Sequence, residues 1–237
     1  MINNVRLKKI LKSLVFPIFT QINKIIPKDE NLVLLYSANK GVVFCNLVLR
    51  DYLLRNRFDK KYKIVCGIEN MCYADDTENV TFVSGVKSVW TFLHAKHVFY
   101  TAGQLPIKPS KKQCVIHMQH GNEDFKSMGA NTKINNGDEF FFTYMIISSD
   151  LNIKVNARAY KCKEENIVGL GDPMCDMLLT VPQNVYDFSK YKKVLLWVPT
   201  FRQSDYLNYN DSHLDTLIPL FADDDYENLN ELLAKYN

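Results

Sequence analysis

The chain has 237 residues, a formal net charge of +3, and 47% hydrophobic against 23% charged residues. That length and balance suit one large or two modest domains with a buried core, and exclude large-scale disorder. Basic and acidic residues alternate through the body, which argues against nucleic acid as a partner. The six cysteines (Cys45, Cys66, Cys72, Cys114, Cys162 and Cys175) form no Cys-x-x-Cys pair. A chain of this size needs no disulfide staples, so they read as reduced, mostly buried thiols.

The first element is a predicted helix over 3–26. Leu7, Ile10, Leu11, Leu14, Val15, Ile18, Phe19, Ile22 and Ile25 recur at three- and four-residue steps, with Arg6, Lys8, Lys9, Lys12 and Lys24 mainly off the stripe. Pro17 should bend it. The unbroken apolar run, 14–19, is too short for a signal peptide with no small-residue cleavage site after it, and the lysines forbid a membrane span. A basic amphipathic helix lying on an anionic membrane surface fits the pattern, and so does a helix packed on the protein body.

After Pro27 the pattern alternates. Strands are predicted at 31–37, 62–67, 80–83, 97–100, 113–118, 144–148, 166–170 and 193–198. Helices are predicted at 42–55, 86–94, 150–160 (with Ser149 or Asp150 as N-cap), 211–221 and 225–235. Continuous apolar strands separated by helices imply parallel βαβ units in a doubly wound α/β sheet. Ligands in such sheets bind beyond the carboxyl ends of the strands. The polar stretch 181–192 reads as a linker.

Three strand ends carry chemistry-bearing residues. The first, Val115-Ile116-His117-Met118-Gln119-His120-Gly121, delivers His120 to a turn, where Gly121 allows close backbone approach and Lys126 supplies a positive charge for phosphate. A turn-capping histidine is the bland alternative. His117 and His120 are spaced for a helix rather than a strand and lack a third ligand, so no metal is expected. The second, Val168-Gly169-Leu170-Gly171-Asp172-Pro173 followed by Asp176, is a strand, a glycine turn and a helix start with Pro173 in its first turn, where free N–H groups attract anions. The third ends the strand 193–198 in Pro199-Thr200-Phe201-Arg202, offering a hydroxyl and a guanidinium fork for phosphate or carboxylate.

In order and spacing, Ile-His-Met-Gln-His120-Gly-Asn-Glu-Asp-Phe-Lys126-Ser-Met-Gly129, Gly171-Asp-Pro173-Met-Cys-Asp176 and Trp197-Val-Pro199-Thr200-Phe-Arg202 resemble the CDP-glycerol glycerophosphotransferase family of teichoic-acid polymerases and primases. The resemblance covers about residues 31–205. It implies a GT-B-like fold of two Rossmann-type domains: an acceptor-side domain at 28–180 and, after the linker, the beginning of a truncated nucleotide-binding domain at 193–237. Members continue into a later Lys-x-His-Pro that this chain does not contain.

The resemblance further implies transfer of glycerol phosphate from CDP-glycerol to a lipid-linked teichoic acid or capsule precursor, with no other cofactor. His120 would be the base, and Gly121, Lys126, Gly171, Asp172, Pro173, Asp176, Thr200 and Arg202 would bind substrate. It places the chain peripherally on the cytoplasmic face of the cell membrane and is compatible with a homo-oligomer. Gln119 stands where members carry Trp, and Met174 where they carry Arg. These departures leave open CDP-ribitol or an activated sugar as donor, and an inactive acceptor-binding module as a second class of function.

Overall fold

The computed structural model describes residues 14–120, 139–180, 187–194, 196 and 226–235. The chain divides into two units, Met1–Val181 and Pro182–Asn237.

The first unit is built on seven parallel strands: β1 (Asp29–Tyr36), β2 (Lys63–Gly67), β3 (Val80–Val83), β4 (Ala95–Tyr100), β5 (Cys114–His117), β6 (Tyr144–Ile147) and β7 (Ile167–Gly169). Their order is β3-β2-β1-β4-β5-β6-β7. The helices are α1 (Phe16–Ile25), α2 (Phe44–Arg55), α3 (Val86–His94), α4 (Ile153–Tyr160) and α5 (Asp176–Thr180). The expected doubly wound parallel sheet is therefore present, with all seven strands predicted before residue 171.

Alternation along the strands sorts the core into two faces. Val33, Leu35, Ile64 and Cys66 pack with Leu49 and Leu53 of α2. Leu34, Val65, Val98, Tyr100 and Val115 pack with Phe92 and Leu93 of α3. Leu34 and Val98 are fully enclosed, and each such side chain contributes about 1.5–3 kcal/mol relative to exposure. A third cluster joins Met145 and Ile147 to Ala157, Ala159 and Tyr160 of α4.

The first helix departs from the single stripe expected for it. Phe16, Phe19, Ile22 and Ile26 pack on the core, whereas Leu14, Ile18 and Ile25 face outward. Two polar residues, Thr20 and Asn23, are buried on the inner face. Asn23 donates to Gln113 Oε1 at 2.6 Å and to the Lys108 carbonyl at 2.9 Å. The Lys28 ammonium donates to Asn23 O, Asn23 Oδ1 and the Leu93 carbonyl. Inward polar residues can be satisfied here because α1 docks beside loop and helix-end carbonyls. Pro17 lies in the first turn of α1, where its missing N–H is tolerated, after a π-helical turn at Leu14 and Val15. Among the described residues no helix is long and apolar enough to cross a membrane.

All six cysteines are free, but only Cys45 and Cys66 are buried; Cys72 and Cys175 are exposed and Cys114 and Cys162 half-buried. The expectation of mostly buried thiols is corrected accordingly: Cys72 and Cys175 lie in short 3-10 turns outside the core.

In the second unit, α6 (Tyr226–Lys235) matches the predicted late helix. Of the expected strand over 193–198, Lys193, Val194 and Leu196 are outside any strand, Val194 and Leu196 being exposed, and Leu195, Trp197 and Val198 lie outside the described residues. The predicted helix at 211–221 lies outside the described residues.

Candidate functional site

Strand order reverses direction between β1 and β4, which is where a crevice would open at the carboxyl edge. Here it is bridged. The Ala38 amide donates to the Ala102 carbonyl at 2.7 Å. Gly103, at φ +79°, lies so close to this loop that an added Cβ would sit 2.5 Å from Ala38 Cβ. To one side of this bridge lie the start of α2, the end of β5 and the loop after β7.

Three chain segments meet there. Phe44 opens α2 at φ +53°, and its ring stands edge-on to the exposed His120 imidazole, 5.5 Å between centroids at 84°. Cys45 Sγ lies 3.6 Å from the Met118 carbonyl and 3.6 Å from Asp172 Oδ1. Burial pushes the Cys45 thiol up to about 12, reinforced by the Asp172 charge, so it remains protonated and unreactive as a nucleophile. The first and second sequence motifs are thus brought together through two residues, Phe44 and Cys45, to which sequence reasoning assigned no site role. Their only sequence signal is their place at the helix start after β1.

Beneath His120 the environment is closed. His117 is buried among Tyr100, Phe142 and Tyr160. Its Nδ1 accepts the Gln119 amide at 3.1 Å, leaving the proton on Nε2. Burial drives its pKa down to about 3, with a further contribution from His120, so it stays neutral. Gln119 adopts φ +59°. Its carbonyl accepts from Thr101 Oγ1 at 2.6 Å, and its Nε2 donates to Asn156 Oδ1 at 3.0 Å.

At the second motif, Gly171 takes φ +89°, a conformation that disfavours any side chain. Asp172 caps a 3-10 turn, Pro173–Cys175, by accepting the Met174 amide at 2.9 Å, and the Cys175 amide donates to the Asp172 carbonyl. The N–H groups expected to attract an anion are thereby engaged internally. Pro173 begins that turn and Asp176 begins α5, exposed at the rim. Gly121, Lys126, Thr200 and Arg202 lie outside the described residues. No group of three His, Cys, Asp or Glu side chains among the described residues could hold a metal ion.

This arrangement presents one outward imidazole, oriented by an aromatic edge, above a neutral buried base. A family model described as CDP-glycerol:poly(glycerophosphate) glycerophosphotransferase matches residues 18–232. Among curated proteins, the chain is 28% identical over 199 residues to the teichoic acid ribitol-phosphate polymerase TarL of Staphylococcus aureus (strain NCTC 8325 / PS 47), covering 75% of this chain and 34% of that protein. It is 27% identical over 208 residues to TarK of the same strain, covering 79% and 38%. The chain thus spans about a third of the length of these relatives. Among solved structures it is similar to the wall teichoic acid polymerase TagF (TM-score 0.58, 16% identity, 74% of this chain and 46% of that one). A TagF variant soaked with CDPG matches similarly (TM-score 0.56, 14% identity, 73% and 47%). At these identities the likeness to TagF is one of fold, and it agrees with the GT-B-like expectation for the first unit.

Proposed function

Because the chain belongs to the CDP-glycerol:poly(glycerophosphate) glycerophosphotransferase family, we propose that it carries the acceptor-side half of a transferase that moves a polyol phosphate from a CDP-activated donor to a lipid-linked acceptor. The observation that carries this reading is the exposed His120 at the carboxyl end of β5, in the sector framed by Phe44, Cys45 and Asp172. In the proposed reaction the acceptor hydroxyl oxygen attacks the donor phosphorus and the bond to CMP breaks. The hydroxyl proton passes to His120. A base in this role contributes about 10²–10⁴-fold; positioning and charge neutralisation supply the remainder. Lys126, Thr200 and Arg202 are proposed for the phosphates, and Gly121, Gly171, Asp172, Pro173 and Asp176 for the walls. Residues 28–180 form the acceptor-side domain in this reading, 181–192 the linker and 193–237 the beginning of the nucleotide side.

The test is radiolabel transfer to a membrane acceptor from CDP-glycerol and CDP-ribitol in parallel. His120→Ala should reduce transfer by about 10²-fold or more; an unchanged rate would remove His120 from the chemistry. The donor panel also decides a second reading. Both curated relatives are ribitol-phosphate polymerases by name, which favours CDP-ribitol over the CDP-glycerol of the family description.

We also propose that α1 rests on anionic membrane, supported by the outward Leu14, Ile18 and Ile25 and the lysines before them in sequence. Reversing Lys8, Lys9 and Lys12 to Glu should abolish flotation with anionic liposomes; undiminished flotation would refute the interfacial role.

A further inference from the structure

We propose that Asn156 of α4 is a positioning residue for His120, acting through Gln119; the catalytic part of this inference rests on the reading of His120 above. Gln119 sits immediately before the histidine in the left-handed region, uncommon for a residue with a long side chain. Backbone strain of this kind persists only where surrounding contacts over-determine it. Here three elements do so. The Thr101 hydroxyl after β4 donates to the Gln119 carbonyl, the Gln119 amide donates to His117 Nδ1 of β5, and the Gln119 side chain donates to Asn156 Oδ1 of α4.

The same Nε2 also approaches Met145 Sδ of β6 at 3.3 Å, a weak acceptor; Asn156 supplies the oxygen acceptor, and neither β4 nor β5 provides it. Asn156 is 2% exposed and lies inside an eight-residue helix, where asparagine is a poor helix former. The helix it belongs to packs on β6 and β7 through an apolar cluster of Met145, Ala157, Tyr160 and Ile167, a setting in which a leucine would serve packing alone. Its Nδ2 donates to the Asn152 carbonyl at 3.0 Å, which fixes the carboxamide so that Oδ1 faces Gln119 Nε2. The two amides therefore meet donor to acceptor in only one orientation. The left-handed turn they lock directs the next residue toward Phe44 at the start of α2. Release of the Gln119 side chain would let that turn relax and swing His120 off the Phe44 edge.

The experiment uses the 237-residue chain with ring-labelled histidine, whose five histidines give a tractable NMR spectrum. His120→Ala identifies the His120 signals, and Phe44→Leu measures the ring-current shift that Phe44 imposes on them. Asn156→Leu removes the oxygen acceptor and leaves Gln119 Nε2 only the weak Met145 Sδ contact, whereas Asn156→Asp retains the oxygen. We expect Asn156→Leu to move the His120 carbon-bound proton signals by about half or more of the Phe44→Leu displacement, Asn156→Asp to restore them, and the His94 signals to stay in place. A folded Asn156→Leu protein with unmoved His120 signals overturns the proposal. Should that variant not fold, Gln119→Leu cuts the same bond from the other side and is read identically. In the transfer assay Asn156→Leu should lower kcat about tenfold or more with KM within about twofold, as expected when a reacting group is misplaced. A wild-type kcat in Asn156→Leu overturns the positioning role and leaves His120 in its own. A fully active His120→Ala overturns the functional reading and leaves the spectroscopic coupling standing.

Discussion

Two buried glutamines flank β5, and they serve different ends of it. Gln113, at the amino end, accepts from Asn23 Nδ2 and the Ser110 amide and donates to the Phe92 and Ala95 carbonyls. It ties α1, the end of α3 and the loop before β5 together. Gln119, past the carboxyl end, is in the left-handed region and reaches a side chain, Asn156, directly beneath an exposed histidine. Both are buried and bonded, so burial and satisfaction alone do not separate a structural polar residue from a functional one. What separates them is which end of the parallel sheet they occupy and whether the backbone is strained there.

Replacing each glutamine by leucine would break or sharpen this contrast. Gln113→Leu leaves two helix-end carbonyls and the Ser110 amide without their partner, so a loss of about 3–5 kcal/mol in urea unfolding is expected, with the His120 NMR signals unmoved. Gln119→Leu should cost less stability, about 1–3 kcal/mol, and move the His120 signals. The reverse order of the two losses would dissolve the distinction.

A smaller effect concerns acid. His117 titrates near 3 in the folded protein because of burial, against about 6.5 in an unfolded chain. Between those values the unfolded state binds the extra proton, so stability falls as pH drops from about 6.5 toward 3, by at most about 1.4 kcal/mol per pH unit from this group. The carboxyl-end network should carry that dependence. His117→Asn, which keeps an acceptor for the Gln119 amide, should show a shallower acid slope in urea melts at pH 4, 5 and 7; equal slopes would assign the acid sensitivity elsewhere.

The strands were legible because each is a short apolar run bounded by polar or turn residues, and a run buried on both faces needs little context to be recognised. Val33-Leu34-Leu35 and Ile64-Val65-Cys66 are of this kind. The run at 193–198 is also apolar, yet Lys193, Val194 and Leu196 are outside any strand. In α1 the apolar period was visible, but not which part of it turns inward. Asn23 is inside because acceptors at Gln113 and Lys108, some ninety residues onward, satisfy it, and Thr20 because its hydroxyl accepts the Lys108 amide. At the site, His120, Gly171 and Asp172 were identifiable by their positions after strands. Phe44 and Cys45 were not, because the contact between Cys45 and Asp172 joins positions 127 residues apart.

The sequence by itself determined that the chain makes a parallel α/β sheet and that His120 stands at a carboxyl strand end, since local apolar periodicity and turn residues carry both. Only the tertiary structure decided what surrounds that histidine. The bridging of the β1 and β4 loops, the Phe44 ring against His120, the approach of Cys45 to Asp172 and the amide pair between Gln119 and Asn156 are all contacts between distant segments. Each depends on the sheet order that brings β1, β4, β5 and β7 to one edge, and strand order is a global packing outcome that no local pattern encodes.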